Sequence, residues 1–169
     1  MARTLLSIRL VTAVALVLVA GAVAGAPASA ATGHKSDEVG DAPGIIDIAG
    51  FTVLNDAARV VITADVPALR SRGRFNFEYS TSRYGGFYVF VAGNGPAPSV
   101  QARYCGEIRC DTVSCAGVRA SWSTDRHQVK VTIPQRCYPD PLPNPGFFTV
   151  WSGSRTGHDE AGSLKVGLG

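Results

Sequence analysis

The sequence lacks the patterns that define several large classes of protein. It has no heptad repeat and no stripe of apolar residues at helical spacing, which argues against a helical bundle or a coiled coil. After residue 30 no apolar run is long enough to cross a bilayer. Arg70, Arg72 and Arg74 form the only local basic group. This group is too small for the clustered Lys and Arg of a nucleic-acid-binding surface, so we expect no nucleic-acid partner.

Common catalytic motifs are also missing. There is no G-x-S-x-G, no H-E-x-x-H and no phosphate-binding glycine loop, and the histidines are scattered at His34, His127 and His158. Ser152 or Ser154 could combine with His158 and an acid into a catalytic triad. Glu78 and Glu107 could form the carboxylate pair of a glycosidase. A chain this short has few residues with which to line a substrate cleft. We therefore predict a protein that is not an enzyme.

The first thirty residues have the order of a secretory signal peptide. A short basic start carrying Arg3 and Arg9 precedes the apolar segment Leu10–Ala26, and Ala28-Ser29-Ala30 forms an A-x-A cleavage site. We expect cleavage before Ala31; the alternative is an uncleaved membrane anchor. Removing residues 1–30 takes two of the 16 Lys and Arg residues and none of the 13 acids, so the formal net charge falls from +3 to +1. The mature protein is predicted to be exported, soluble and monomeric.

The four cysteines predict two disulfides. In an exported chain this count is more typical of disulfides than of a metal site. The spacing Cys105-x4-Cys110-x4-Cys115 also lacks the C-x2-C pair of zinc modules.

A hairpin favours one pairing of these cysteines. Val118–Ser123 and His127–Ile133 alternate in polarity around a turn near Asp125, so facing residues have numbers that sum to about 250. Cys115 and Cys137 are nearly opposite in that register and are predicted to form a bridge. Cys105 and Cys110 then remain to close a small loop.

The remaining pattern indicates an all-β fold. Asp37–Val66 is predicted to contain a hairpin, with an apolar segment Ile45–Leu54, a turn at Asn55-Asp56 and an alternating return through Arg59–Val66. Further short apolar segments are separated by turn residues, which predicts about eight strands in an antiparallel β-sandwich, jelly-roll-like, with a closed barrel as the alternative. We expect a flexible lead-in at 31–39 and a single domain at 40–169.

Four later segments carry specific expectations. In Arg74–Ser80 the aromatic residues share one face and the polar residues the other, which predicts a strand with one solvated side. Phe87–Ala92 is apolar on both faces and is predicted to be central or covered on both sides. Pro139–Gly146 is rich in proline and cannot be a helix or a central strand. Ser154–Gly162 is predicted to be a polar loop.

Three segments together resemble a family of small secreted actinobacterial β-sandwich proteins of unassigned function: GDAPGIIDIAGFTV, VKVTIPQRC and SRTGHDEAG. The first segment is also similar to the start of the glucodextranase C-terminal, carbohydrate-binding type of β-sandwich module. The first resemblance implies a β-sandwich. The second implies a sugar-binding or cell-surface role.

Two groups of residues are candidates for binding. Asp37, Asp41 and Asp47 lie near flexible glycines, and Asp159 can approach them from the far end of a sandwich, which suggests a structural Ca²⁺. Local capping of turns by these aspartates is the alternative. Among the aromatic residues Trp122 and Trp151 are predicted to be core. Tyr84 and Tyr138 lie in loops and are the candidates for stacking on sugars.

The sequence therefore predicts a secreted, non-catalytic binding or interaction module. The expected partner is an extracellular glycan or a protein, reached through loops at one end. The alternative is a secreted inhibitor of proteases or other enzymes, which would insert the Cys105–Cys115 loop or the Pro139–Gly146 loop.

Overall fold

The structure is a computed structural model that describes residues 30–82, 85–94, 97–138, 145–154 and 157–169. The predicted signal peptide lies outside these residues, as do Tyr84 and most of the proline-rich connection. Within the described part of the chain no helix is long and apolar enough to cross a membrane.

The described residues contain eleven β-strands and one short 3-10 helix, Gln135–Cys137. The strands are β1 (Ala31–Ser36), β2 (Gly50–Asn55), β3 (Arg59–Asp65), β4 (Arg72–Ser82), β5 (Gly85–Asn94), β6 (Ser99–Cys105), β7 (Cys110–Val113), β8 (Arg119–Ser123), β9 (Gln128–Pro134), β10 (Gly146–Gly153) and β11 (His158–Val166). The prediction of an all-β fold is confirmed, with eleven strands in place of about eight.

The strands form two antiparallel sheets. One has five strands in the order β1-β2-β3-β9-β8, and the other has six in the order β11-β10-β4-β5-β6-β7. A single hydrophobic core contains residues of both sheets. The fold is thus sandwich-like, and each sheet has one face on the core and one face outward.

Period-two alternation explains which side chains enter the core. In β3, Val60, Ile62 and Ala64 are fully buried while the residues between them are half-buried. In β4, Phe75 and Phe77 are buried and the polar residues alternate with them, as the sequence predicts. The predicted hairpin is present as β2 and β3, but it begins at Gly50, because the segment before it is irregular.

The lead-in is wrongly predicted as a segment outside the fold, because Ala31–Ser36 forms edge strand β1. Its residues pair with β2 from Ala31 opposite Asn55 to Ser36 opposite Gly50. A Cβ atom at Gly33 would lie 2.7 Å from Val166, so β1 also packs closely against β11. The sequence of β1 has no apolar alternation from which a strand could be predicted. The strand is held instead by backbone hydrogen bonds to β2 and by its close approach to β11.

Both predicted disulfides are present. Cys115–Cys137 joins the chain before β8 to the 3-10 helix after β9, and Cys105–Cys110 closes the β6–β7 turn. The turn itself is tight, with the Gly106 amide donating to the Arg109 carbonyl at 2.9 Å. These bridges are consistent with an extracellular protein.

The loop predicted at Ser154–Gly162 is only partly correct. From His158 onward this segment is the first half of β11, which pairs with β10. The sequence pattern did not predict this strand, because its first half contains charged residues and a glycine. Edge strands can have such polar sequences. Because β11 begins at His158, Asp159 and Glu160 both lie in this strand, and alternation directs their side chains to opposite faces of the sheet.

Candidate functional site

The outer face of the six-stranded sheet carries the most distinctive surface of the protein. No third layer of described residues covers this face. Asn76 in β4 lies between Trp151 of β10 and Phe90 of β5, and the neighbouring row places Glu78 beside Tyr88. Alternation therefore brings aromatic and polar side chains together at the centre of the sheet.

Three aromatic rings line a shallow depression here. The ring centroid of Tyr88 lies 6.4 Å from that of Phe90, with an interplanar angle of 21°, and 6.3 Å from that of Trp151. Phe90 is 36% exposed, whereas Tyr88 and Trp151 are half-buried. We call the depression the groove; it has a volume of about 670 Å³ and is lined by Arg74, Phe75, Asn76, Tyr88, Phe90, Cys105, Cys110, Trp151, Ser152, Gly153, His158 and Glu160.

Polar atoms without a partner accompany these rings. Asn76 Oδ1, Trp151 Nε1 and Arg103 Nε are buried and have no hydrogen-bond partner in the described protein. All three belong to the outer face, where Arg103 lies opposite Tyr88 and its guanidinium is 5.2 Å from the Phe90 centroid. Buried polar groups are almost always satisfied, and leaving one unsatisfied costs about 1–3 kcal/mol. Such groups are suited to accept and donate hydrogen bonds to a ligand or to water.

Glu78 is the acidic group at the centre of this face. It accepts a hydrogen bond of 2.9 Å from the Tyr88 hydroxyl. Burial raises the pKa of Glu78, and the negative charge of Glu160 raises it further, whereas the bond from Tyr88 acts in the opposite direction. Burial and the contact with Glu78 raise the pKa of Tyr88 to about 12, so Tyr88 stays a donor at neutral pH.

Sequence reasoning missed this surface. The prediction that Trp151 is core is wrong, because the face that it shares with Phe147 and Thr149 points outward. β5 is central in its sheet, as predicted, and its outward face has no covering layer of described residues. The aromatic residues on the outward face of β5 were the available signal, since apolar residues on an uncovered face commonly mark a binding surface.

Of the two tyrosines predicted to bind sugars, Tyr138 is not among the residues that line the groove. Tyr84 lies outside the described residues. Tyr138 is 7% exposed and packs in the core, with its ring centroid 5.3 Å from that of Tyr79 and 4.9 Å from that of Phe87. Tyr138 therefore does not present its ring at the surface for stacking on a sugar.

The predicted acidic site is brought together as the sequence suggested. Oxygen atoms of Asp41, Asp47 and Asp159 all lie within 4.8 Å of one another. Asp47 and Asp159 are buried and Asp41 is exposed. Asp47 accepts the Gly40 amide at 3.0 Å, and Asp159 accepts the Ile48 amide at 2.6 Å. These bonds orient two carboxylates toward the third.

Asp37 extends this group. Its Oδ2 atom is buried and has no hydrogen-bond partner among the described residues. Burial raises the pKa of Asp37, with smaller contributions from Asp159 and Asp41; burial likewise raises the pKa of Asp159, and Asp41 and Asp47 add to it. We call these four residues the carboxylate cluster. Their charges repel one another, and oxygen-rich groups of this kind are suited to Ca²⁺.

The candidate catalytic residues are not brought into a working arrangement. The Ser152 hydroxyl is buried and donates to the Ile46 carbonyl. Glu107 is exposed in the β6–β7 turn, and the carboxylate that acts on Glu78 is that of Glu160. His158 lines the groove but no described contact links it to Ser152.

A comparison of the chain with protein-family models, curated proteins and solved structures finds no match in any of the three. The resemblance to small secreted actinobacterial proteins and to glucodextranase-type modules thus stays a prediction. Inference about function depends on the groove and on the carboxylate cluster.

Proposed function

We propose that the protein is a secreted, non-catalytic module that binds a glycan in the groove. The observation that supports this proposal is the set of rings from Tyr88, Phe90 and Trp151 on an uncovered sheet face, next to buried polar atoms that lack a partner. Small-molecule sites are mostly apolar, with a few placed polar groups that fix orientation. A pyranose fits this combination, because its apolar faces stack on rings and its hydroxyl groups reach polar side chains.

The shape of the groove favours a chain-like ligand. Its lining extends across the sheet from the Cys105–Cys110 bridge on one side to His158 on the other. Neighbouring strands lie about 4.8 Å apart, so a sheet of six strands is wide enough for several sugar units. We infer that an oligosaccharide lies across the strands.

The test is a glycan and peptidoglycan binding panel on residues 31–169, followed by titration of each hit. Replacing Trp151 or Phe90 by alanine is expected to weaken binding at least tenfold, which corresponds to about 1.4 kcal/mol. Leu54→Ala, at a half-buried apolar residue on the outer face of the other sheet, is the matched control and should bind normally. No binding to any glycan, or equal loss in the control, would refute the proposal.

The alternative function, enzyme inhibition, has one supporting observation. Ile108 is 95% exposed at the tip of the disulfide-closed β6–β7 turn. The turn doubles back within four residues, however, and so offers no extended segment to a protease cleft. An inhibition assay against secreted proteases, with Ile108→Ala as the variant, tests this alternative directly.

We also propose that the carboxylate cluster binds Ca²⁺ and fixes the segment before β2 to β11. The first favouring observation is that oxygen atoms of Asp41, Asp47 and Asp159 lie within 4.8 Å of one another. The second is the buried Oδ2 of Asp37, which has no hydrogen-bond partner among the described residues and whose carboxyl group interacts electrostatically with Asp159 and Asp41. A cation relieves the repulsion between these groups. At a hundredfold excess over its Kd it stabilises the fold by about 2.7 kcal/mol.

For a domain of this size that stabilisation raises the Tm by about 8 °C. Thermal melts with Ca²⁺ up to millimolar concentrations measure it. Asp41→Asn should remove the shift, and Asp125→Asn, in an exposed turn, should keep it. An unchanged Tm for the unsubstituted protein would exclude a meaningful site.

A further inference from the structure

A second depression with a different chemical character adjoins the groove. It has a volume of about 490 Å³ and shares Trp151 and Glu160 with the groove. Its lining combines two carboxylates, two aromatic rings and three hydroxyl groups, from Glu78, Ser80, Phe147, Thr149, Trp151, Glu160 and Ser163. We call it the acidic end.

The two carboxylates of the acidic end, Glu78 and Glu160, lack an ion-pair partner among the described residues. The burial of Glu78 and, to a smaller extent, the negative charge of Glu160 disfavour ionisation of Glu78 and raise its pKa. A positive group placed between them would reverse this effect, because an opposite charge nearby favours the ionised carboxylate.

The surrounding cations are engaged elsewhere or lie at the margins. Lys165 Nζ lies 5.7 Å from the centroid of the Phe147 ring, at the edge of the acidic end, and forms no ion pair with Glu78 or Glu160. Arg103 lies over Phe90, and its terminal nitrogen donates to Gln101 at 3.0 Å. Arg74 and His158 line the groove but not the acidic end.

The aromatic rings add a second attraction for cations. Phe147 is 44% exposed, and Trp151 separates the acidic end from the rest of the groove. The face of an aromatic ring attracts a cation within about 6 Å of its centroid, most strongly for tryptophan. Carboxylates and ring faces together are the usual chemistry for recognising an ammonium group.

We propose that the acidic end is a subsite for an ammonium group, so that the ligand of the groove is a glycan that contains free amino sugars. This inference rests on the proposed glycan-binding function. The pyranose rings lie along Tyr88, Phe90 and Trp151, and the amino group of one sugar points between Glu78 and Glu160. An N-acetyl group at that position would replace the positive charge by a neutral amide and lose the attraction.

The test compares three linear hexasaccharides of the same linkage by calorimetry: one of glucosamine, one of N-acetylglucosamine and one of glucose. The glucosamine hexamer is expected to bind at least tenfold more tightly than the other two. Glu78→Gln and Glu160→Gln should each abolish this preference, because each removes a negative charge beside the ammonium group. Glu107→Gln, in the exposed β6–β7 turn, is the control for non-specific attraction of a polycation and should keep the preference.

The possible outcomes separate the two proposals. Equal affinity for all three hexamers would overturn the ammonium subsite while glycan binding stands. A preference that survives both Glu78→Gln and Glu160→Gln would overturn it as well. If none of the hexamers binds and the panel above is also silent, both proposals fail.

Discussion

The two tryptophans provide a paired test of the structure, because the sequence suggests the same role for both and the structure gives them opposite roles. Trp122 closes one end of the sandwich. Its Nε1 donates to the Arg70 carbonyl at 2.7 Å, and its ring makes an edge contact with Phe75 at 5.4 Å between centroids. A Cβ atom at Gly93 would lie 2.9 Å from the indole, so the ring fits tightly over the backbone. Trp151 instead lies on the outer face with its Nε1 unpartnered.

Trp122→Ala is expected to lower the free energy of unfolding by about 3 kcal/mol, the lower end of the range for buried tryptophan because Trp122 is half-buried. For this size of domain the Tm falls by about 10 °C. Trp151→Ala is expected to cost about 1 kcal/mol or less, as substitutions away from the core usually do. The losses are measured by urea unfolding followed by fluorescence, with the slope compared to detect changes in the unfolded state.

Ligand binding should show the reverse order. Trp122→Ala is expected to bind its glycan normally below its Tm, whereas Trp151→Ala loses at least tenfold in affinity. Equal destabilisation by the two substitutions would refute the assignment of Trp151 to an open face. Normal binding by Trp151→Ala would refute the assignment of the groove as the site.

Three further predictions concern stability. Because the pKa values of Asp37 and Asp159 are raised above 3.8, the folded state binds protons more tightly than the unfolded state, so the free energy of unfolding should rise as pH falls from 7 toward 4. A flat or falling profile in urea melts would contradict this sign. Gly50→Ala should destabilise by at least about 1 kcal/mol, because the residue has φ 150° and a Cβ atom would lie 2.5 Å from a backbone oxygen of β1; an unchanged Tm would contradict it. Replacing Cys115 and Cys137 by alanine opens a loop with a sequence separation of 22 and should cost about 3 kcal/mol, and thermal melts without such a loss would count against it.

Local pattern was sufficient for the features that depend on neighbouring residues. The alternation around Asp125 gave the register of β8 and β9, in which Ala120 faces Val131, and from that register the Cys115–Cys137 bridge followed. The solvated face of β4 was likewise readable from Arg74–Ser80. Both inferences need only the period of a strand and the reversal at a turn.

The groove was not predictable in the same way. An apolar residue in a strand gives the same sequence pattern whether a second layer of the protein or a ligand covers it. Trp151 was therefore predicted to be core, and Phe90 was not singled out as a binding residue. The four residues of the carboxylate cluster were predicted as one site, because Asp37, Asp41 and Asp47 are close in sequence and Asp159 was expected to approach from the far end of a sandwich. The arrival of Asp159 depends on the pairing of β11 with β10, which no local pattern reports.

Buried Asn55 gives the fold a property of its own. Its backbone pairs with Ala31 at the start of β1, its carbonyl accepts the Gly169 amide at 3.2 Å, and its side chain donates to the Gly167 carbonyl. Residue 31 and residue 169 therefore both lie next to Asn55. A short linker from 169 to 31 would close the domain into a cyclic chain. Such a cyclic chain could be reopened at the exposed turn 124–127, because exposed turns tolerate new termini. A circularly permuted version should therefore keep the same strand order in each sheet, and with it the groove and the carboxylate cluster.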